Sequence, residues 1–214
     1  MTILALEFSS SQRSVALARN GVVLAEAAET GERGVNAFGL VEKVLATAKI
    51  GRDEVEVLAV GLGPGSYAGI RVALAIAQGW QLAREVKLLG IGSVECLAAQ
   101  AQVEKIHGRV NAVIDAQRGE FYLATYEVAA DGVNEIAPLR IVTVAEAESH
   151  AADGESIIGP DATRWFATAK DICPSAKALA LLAGRRDDFT AGEKLEPVYL
   201  RATNFVKIAD QRKS

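Results

Sequence analysis

The chain has 214 residues, of which 50% are hydrophobic and 23% are charged, and its formal net charge is −4. This length accommodates one large domain or two small ones, with enough apolar residues for a substantial core. Proteins that bind nucleic acid unaided usually carry a basic surplus, so the acidic balance argues against direct RNA binding.

The first half of the chain alternates strand and helix signals. Short apolar runs rich in β-branched residues predict strands, and apolar residues at a spacing of three and four predict helices. Asn20-Gly21 is a strong hairpin signal between the second and third strands. The predicted order is strand, strand, strand, helix, strand, helix, strand, helix, over residues 2–8, 13–19, 22–28, 37–48, 55–62, 70–84, 86–91 and 94–102.

The second half begins in the same way, with a hairpin whose first strand ends in an acid. Glu7 ends the first strand of the chain, and Asp115 lies at the end of the strand that opens the second half. This repetition indicates an internal duplication. The remaining strands are predicted at residues 109–116, 120–128, 133–136 and 156–158, and the helices at residues 144–151, 162–169 and 176–185.

Hairpins that feed strand–helix–strand units predict an α/β protein with mixed sheets flanked by helices. We place the domain boundary in the polar stretch at residues 104–108, which gives a first domain of residues 1–104 and a smaller second domain of residues 105–214. We also expect the C-terminal segment to pack back on the first domain. The alternative is a single α/β domain with a β-rich appendage.

A glycine-rich stretch, GLGPGSYAG at residues 61–69, connects a predicted strand to a predicted helix. Such loops often hold phosphates through backbone amides at a helix N-terminus. No lysine lies between residues 53 and 87, which excludes a Walker A loop. Ser66 lacks the flanking glycines of a nucleophile elbow, and the ribose-binding acid of a dinucleotide site is missing. A tight corner or a simpler phosphate contact remains.

Glu7 and Asp115 are the candidate acidic residues. As cleft carboxylates, they could hold a magnesium nucleotide through water. Alternatively, each bonds the amides of the turn that follows it, with Arg118 as an ion-pair partner of Asp115. The two histidines, His107 and His150, lie in polar stretches that fit neither a metal motif nor a catalytic triad, and we expect both to be exposed.

The helix that follows the glycine loop is too apolar for an ordinary surface helix. Its polar residues fall on one narrow stripe, and the remaining positions are apolar or small. A helix of this kind needs cover on more than its sheet-facing side, so we expect an interface with another protein chain. The stripe contains Arg71, Gln78, Gln81 and Glu85.

The sequence also indicates the compartment. Cys96 and Cys173 are far apart and form no CxxC pair, which argues against a disulfide framework or a zinc site and fits a reducing cytoplasm. The first residues lack the basic region of a signal peptide, and no run approaches the length of a membrane span. We therefore expect a cytoplasmic protein without membrane contact.

Four stretches of the chain resemble the TsaB (YeaZ) family, a subunit of the bacterial machinery for threonylcarbamoyladenosine modification of tRNA. The most specific is GPGSYAGIRV at residues 63–72. The other three are ILALEFSSSQRSVAL at residues 3–17, IDAQRGEFY at residues 114–122 and EPVYLR at residues 196–201. They follow the order and spacing of the family over nearly the whole chain.

The resemblance implies two tandem actin/hexokinase-like, or ribonuclease H-like, domains. It also implies a non-catalytic scaffold that activates the catalytic paralog TsaD and joins the ATPase TsaE in modifying ANN-decoding tRNAs. The protein would be a homodimer when alone and would meet tRNA only through the complex. No metal or cofactor of its own is implied, apart from a weaker prospect of ATP or ADP with magnesium at a partner interface.

In this family, the two helices that flank the loop form the partner interface, which corresponds to residues 36–49 and 69–84. The partner-binding residues implied are Leu40, Val41, Val44, Ala48, Arg71, Ile76, Gly79 and Trp80. A possible nucleotide site contains Glu7, Ser9, Gly63, Gly65, Ser66 and Asp115.

The family usually has Asp where this chain has Glu7, and the extra methylene moves the carboxylate by about 1.5 Å. Two alternatives to the scaffold function stay open. One is an ATP-dependent phosphotransferase or ATPase of the actin-like superfamily, based on the acids and the glycine loop. The other is a peptidase, an older label of the wider family, for which the sequence offers neither a nucleophile nor a metal site.

Overall fold

The computed structural model describes residues 1–31 and 36–200, and Arg201, the last residue of the EPVYLR stretch, lies outside them. The strands are β1 (Thr2–Glu7), β2 (Gln12–Arg19), β3 (Val22–Thr30), β4 (Val57–Gly61), β5 (Lys87–Ile91), β6 (Gly108–Asp115), β7 (Glu120–Val128), β8 (Val133–Thr143), β9 (Ser156–Gly159) and β10 (Lys170–Asp171). The helices are α1 (Ala37–Ala48), α2 (Tyr67–Ala83), α3 (Ser93–Val103), α4 (Val144–Ala152) and α5 (Ala176–Ala183). None of the helices within this part of the chain is long and apolar enough to cross a membrane.

The strands form two five-stranded mixed sheets with the same topology. The first sheet has the order β3-β2-β1-β4-β5, and the second, read from its other edge, has the order β8-β7-β6-β9-β10. In each sheet a central strand pairs antiparallel with the second strand of its hairpin and parallel with the strand after a helix. The predicted duplication and the predicted α/β class, with mixed sheets flanked by helices, are confirmed.

Helices cover both faces of the first sheet, which explains why β1 is buried at all six positions. Residues of α1 and α2 pack on one face, against side chains that include Leu4 and Leu58. Residues of α5 pack on the opposite face, against Ile3 and Ala5. Although α5 follows the second sheet in sequence, it therefore packs on the first. The boundary at residue 104 stays a prediction.

Three elements differ from the sequence-based expectation. Residues 162–169 do not form an α-helix but a single 3-10 turn, Ala162–Arg164, because Phe166 turns into the core and packs against Phe121. Strand β8 continues to Thr143. Pro138 is tolerated within it because β8 is an edge strand. Helix α2 begins three residues earlier than predicted, at Tyr67.

A buried hydrogen bond ties α5 to the first sheet. The backbone N–H of Ala176, at the start of α5, donates to Ser14 Oγ on β2 at 2.8 Å. We expect Ser14→Ala to lower the free energy of unfolding by about 1–3 kcal/mol, because it leaves a buried N–H unpaired. Urea denaturation measures this difference. Ser149→Ala, on the exposed side of α4, is the control and should change stability by less than about 0.5 kcal/mol; equal effects of the two variants would contradict the role of Ser14.

Candidate functional site

A cleft of about 470 Å³ lies between the two sheets, where the loops after β1 and β6 face each other. The equivalence of these two central strands explains its position, since their carboxyl ends meet at the same place. Its walls also include the glycine loop, at the start of α2, and the segment after β9. The residues predicted for nucleotide binding that line the cleft are Ser9, Gly65, Ser66 and Asp115.

The Glu7 side chain does not line this cleft but points into the protein. It is fully buried. Glu7 Oε1 accepts a hydrogen bond from the backbone N–H of Ser9 at 2.8 Å, and Ser93 Oγ donates to Oε2 at 3.1 Å. Burial raises the pKa of Glu7 above its ordinary value, although the bonds from Ser9 and Ser93 oppose the shift. A carboxyl group held in this way is not available to a metal ion in the cleft.

The Asp115 side chain is also used within its own turn. Its Oδ1 accepts from the backbone N–H of Gln117 at 2.6 Å, and Gln117 Nε2 donates to Oδ2 at 3.3 Å. The structure therefore agrees with the second alternative, in which each acid accepts a hydrogen bond from an amide of the turn that follows it. The expected ion pair of Asp115 with Arg118 is not among the ion pairs of residues 1–31 and 36–200.

The structure does not bring Glu7 and Asp115 together as a metal site. Across residues 1–31 and 36–200, no group of three His, Cys, Asp or Glu side chains could hold a metal ion. His107 is exposed, as predicted, whereas His150 is half-buried and its Nδ1 lies 2.9 Å from Glu155 Oε2. The prediction of an exposed His150 was wrong because Glu155, five residues later, folds back onto it.

Backbone groups of the glycine loop form hydrogen bonds with other parts of the protein. The N–H of Ser66 donates to the carbonyl of Ser9 at 2.6 Å, and the N–H of Ser93 donates to the carbonyl of Gly63 at 2.8 Å. A Cβ atom built on Gly65 would overlap the carbonyl oxygen of Ser9. The glycine at this position therefore permits the loop to contact β1, whereas a phosphate cradle would need such amides free.

Ser66 also ends the loop by capping α2. Its Oγ accepts from the backbone N–H of Gly69 at 3.4 Å, which is a typical N-cap arrangement. The sequence signal was present, since a serine precedes the helical run by one turn, but the proline and glycines around it obscured the helix start.

The residues predicted for partner binding on α1 and α2 fall into two groups. Leu40, Val41, Val44 and Ile76 are buried in the core beneath the helices. Ala48 and Trp80 are half-buried, and Arg71 and Gly79 are exposed. The assignment of these residues to an interface stays a prediction. Of the four buried residues, Val41 and Ile76 also line the groove between α1 and α2.

Other residues of α1 and α2 carry the exposed apolar surface. Leu82 is 91% exposed and Phe38 is 68% exposed, and Val72, Ala75 and Gly79 lie on the same outward side of α2 as Leu82. We call Phe38, Val72, Ala75, Gly79 and Leu82 the α1–α2 face. Four of these residues were not among the predicted partner-binding residues, although the spacing 72, 75, 79, 82 has the period of a helix.

Two residues of the polar stripe, Gln78 and Gln81, already form hydrogen bonds within the chain. Gln78 Nε2 donates to the carbonyl of Gly192 at 2.8 Å, and the N–H of Gly192 donates to Gln81 Oε1 at 2.8 Å. The 3-10 turn Gly192–Lys194 thus covers the polar side of α2. The apolar α1–α2 face is left toward solvent. A groove of about 250 Å³ runs along it between Phe38 and Trp80.

The buried Glu7 generates a prediction about pH. Because its pKa in the folded protein lies above the ordinary value of 4.5, the folded state binds this proton more tightly than the unfolded state. Glu7 makes its full contribution to the free energy of unfolding below its ordinary pKa. This contribution decreases as pH rises through the folded-state pKa. We expect Glu7→Gln to flatten this decrease, measured by urea denaturation at a series of pH values that starts at the ordinary value of 4.5 and rises from there. Parallel pH profiles of wild type and variant would contradict the assignment.

The comparisons with known proteins agree with this architecture. A family model described as "TsaD: tRNA N6-adenosine threonylcarbamoyltransferase" matches residues 3–191. The tRNA threonylcarbamoyladenosine biosynthesis protein TsaB of Escherichia coli is 34% identical over 134 residues, which cover 62% of this chain and 58% of that protein. The protein of the same name from Bacillus subtilis is 27% identical over 148 residues, which cover 68% of this chain and 64% of that protein. The matches thus span less than two thirds of these relatives.

Solved structures extend the similarity over nearly the whole chain. YeaZ from Pseudomonas aeruginosa has a TM-score of 0.80 and 27% identity, and the match covers 93% of this chain and 99% of that chain. A second structure from Pseudomonas aeruginosa, an uncharacterized protein with similarity to peptidase YeaZ, also has a TM-score of 0.80 and 27% identity, over 94% of this chain and 99% of that chain. The chain belongs to the family that the matching model describes, and within it to the TsaB/YeaZ proteins.

Proposed function

We propose that this chain is a non-catalytic subunit of tRNA threonylcarbamoyladenosine biosynthesis that binds and activates a TsaD-like catalytic paralog. The names of its TsaB relatives support the pathway. The observation that supports partner binding most strongly is the α1–α2 face, where the side chains of Leu82 and Phe38 are exposed to solvent. A cytoplasmic location follows from this function.

The chemistry of the α1–α2 face favours a protein partner. Burial of one large aliphatic side chain such as Leu82 contributes about 1.5–3 kcal/mol to association. A Cβ added to Gly79 would meet no other atom within 4 Å, so a partner helix has room to approach the α2 backbone closely. The groove beside it can take a side chain between Phe38 and Trp80. A helix laid along α1 and α2 would fit these features.

The proposal includes three further partners. In the absence of the paralog, we expect two copies of this chain to pair through the α1–α2 face, because the exposed apolar side chains would otherwise stay in water. A TsaE-like ATPase joins the assembled complex. The net charge of −4 fits a subunit that meets tRNA through the complex and not by itself.

Polar groups near the cleft already form hydrogen bonds within the protein, which supports the non-catalytic role. The Glu7 carboxyl faces inward, and the Ser66 amide is bonded to Ser9. A peptidase function has no support from a nucleophile arrangement in the cleft or from a metal cluster among residues 1–31 and 36–200.

The second candidate function is an ATP-dependent phosphotransferase or ATPase. The size of the cleft favours it, together with polar and aromatic lining residues such as Arg164, Trp165 and Asp115. Nucleotide held with magnesium at a partner interface is a variant of the same idea. The inward position of Glu7 weighs against both, since only one of the two candidate acids remains at the cleft.

Leu82→Arg tests the α1–α2 face. Because Leu82 is 91% exposed, the variant should fold normally, whereas an unpaired arginine buried by a partner should weaken binding at least about tenfold. Titration calorimetry with the cognate TsaD-like paralog measures the affinity. Ile136→Arg, at an exposed apolar residue of the second sheet, is the matched control and should bind like wild type. Wild-type affinity of Leu82→Arg would contradict the interface.

Calorimetry with magnesium and ATP separates the two functions. We expect no binding and no turnover by the isolated protein, because Glu7 faces inward and Asp115 is bonded within its own turn. Binding that is lost in Asp115→Asn would establish the phosphotransferase or ATPase candidate instead.

A further inference from the structure

We infer that Glu7 is the positioning residue of the α1–α2 face: its carboxyl group fixes both anchored points of the glycine loop and thereby the direction in which α2 leaves that loop. This inference rests on the proposed function in one respect, namely that the orientation of α2 matters for partner binding. The link between Glu7 and the loop is a property of the isolated chain.

The first anchored point of the loop is Ser66. Its N–H donates to the carbonyl of Ser9 at 2.6 Å, and the N–H of Ser9 in turn donates to Glu7 Oε1 at 2.8 Å. The Glu7 carboxyl therefore holds the N–H of the same residue whose carbonyl receives the loop. Since Ser66 is also the N-cap of α2, this chain of bonds leads directly to the first turn of the helix.

The second anchored point is Gly63. Its carbonyl accepts from the N–H of Ser93, the first residue of α3, at 2.8 Å. The hydroxyl of the same serine donates to Glu7 Oε2 at 3.1 Å. Both oxygens of one carboxyl group are thus connected to the loop, one through Ser9 and the other through Ser93. A single side chain joins β1, the glycine loop and α3.

The surroundings of Glu7 fit a side chain of this length. The Glu7 side chain passes over Gly61 at the end of β4, and a Cβ atom added to Gly61 would overlap the Glu7 carboxyl oxygens. Burial keeps the carboxyl group dry and raises its pKa. A neutral amide of the same shape should replace it, with its oxygen accepting from the Ser9 N–H and its nitrogen donating to the Ser93 hydroxyl. An aspartate is shorter by one methylene and should not reach Ser9 and Ser93 together.

Hydrogen exchange on the isolated protein tests the inference, with Glu7→Gln and Glu7→Asp as the paired variants. Residues 62–70 should exchange at least about tenfold faster in Glu7→Asp than in wild type, because a lost buried bond opens the loop locally. Glu7→Gln should stay within about threefold of wild type. If Glu7→Asp does not fold, Ser93→Ala removes the bond between the Glu7 carboxyl and Ser93, while the backbone bond from Ser93 to Gly63 remains possible, and should give the same localised increase.

Thr125→Val is the control for a purely structural effect. It removes another buried side-chain bond, from Thr125 Oγ to Asn111 Oδ1 in the second sheet, and should leave exchange at residues 62–70 unchanged relative to the rest of the chain. Equal exchange of residues 62–70 in Glu7→Asp and wild type, or an increase spread evenly over both sheets, would overturn the inference.

Affinity for the TsaD-like paralog separates this inference from the proposed function. Glu7→Asp should bind more weakly than Glu7→Gln at a temperature where both are folded. If wild type itself does not bind, the proposed function fails, whereas the exchange measurement still decides the role of Glu7. If Glu7→Asp loosens the loop but binds like wild type, the link between the loop and the interface is wrong.

Discussion

The contact between the glycine loop and the end of β1 is the constraint on which the rest of the structure depends. The backbones approach so closely that a Cβ on Gly65 would overlap the carbonyl of Ser9, and one on Gly69 would overlap the carbonyl of Phe8. Small residues at these positions therefore serve contact within the protein. The same contact fixes where α2 begins and which of its sides faces the first sheet.

This constraint distinguishes the two uses to which a glycine-rich loop can be put. A loop that cradles phosphate presents its amides to a ligand, whereas here the Ser66 amide is bonded to Ser9. The acid that could have reached into the cleft, Glu7, is drawn inward by Ser9 and Ser93. The cleft remains between the two sheets, while the hydrogen bonds of the loop beside it serve to orient a helix.

Much of the fold could be predicted from the sequence because the signals were local and periodic. The two hairpins, the acids that end β1 and β6, and the order of elements in the first half are set by short-range patterns. Residues 162–169 were predicted wrongly because Phe166 is held by packing against Phe121, a contact across 45 positions of sequence. No local pattern contains that information.

The candidate site was less accessible to prediction than the fold. An apolar helix such as α2 has no distinct hydrophobic stripe, so its periodicity cannot say which side faces the sheet. Ile76, predicted as an interface residue, is buried but lines the groove between α1 and α2, whereas Leu82, the most exposed large apolar residue of the helix, was not named. The direction of the Glu7 side chain was equally hidden, because it depends on Ser93, distant in sequence.

Reconstitution of threonylcarbamoyl transfer to tRNA tests the central claim most directly, with all cognate subunits present and this chain supplied in three forms. The forms are wild type, a variant of the α1–α2 face such as Val72→Arg, and a cleft double variant, Arg164→Ala with Gln117→Ala. The account predicts that modification requires the chain, is lost with the face variant and persists with the cleft variant. Full activity of the face variant together with loss of activity in the cleft variant would contradict it.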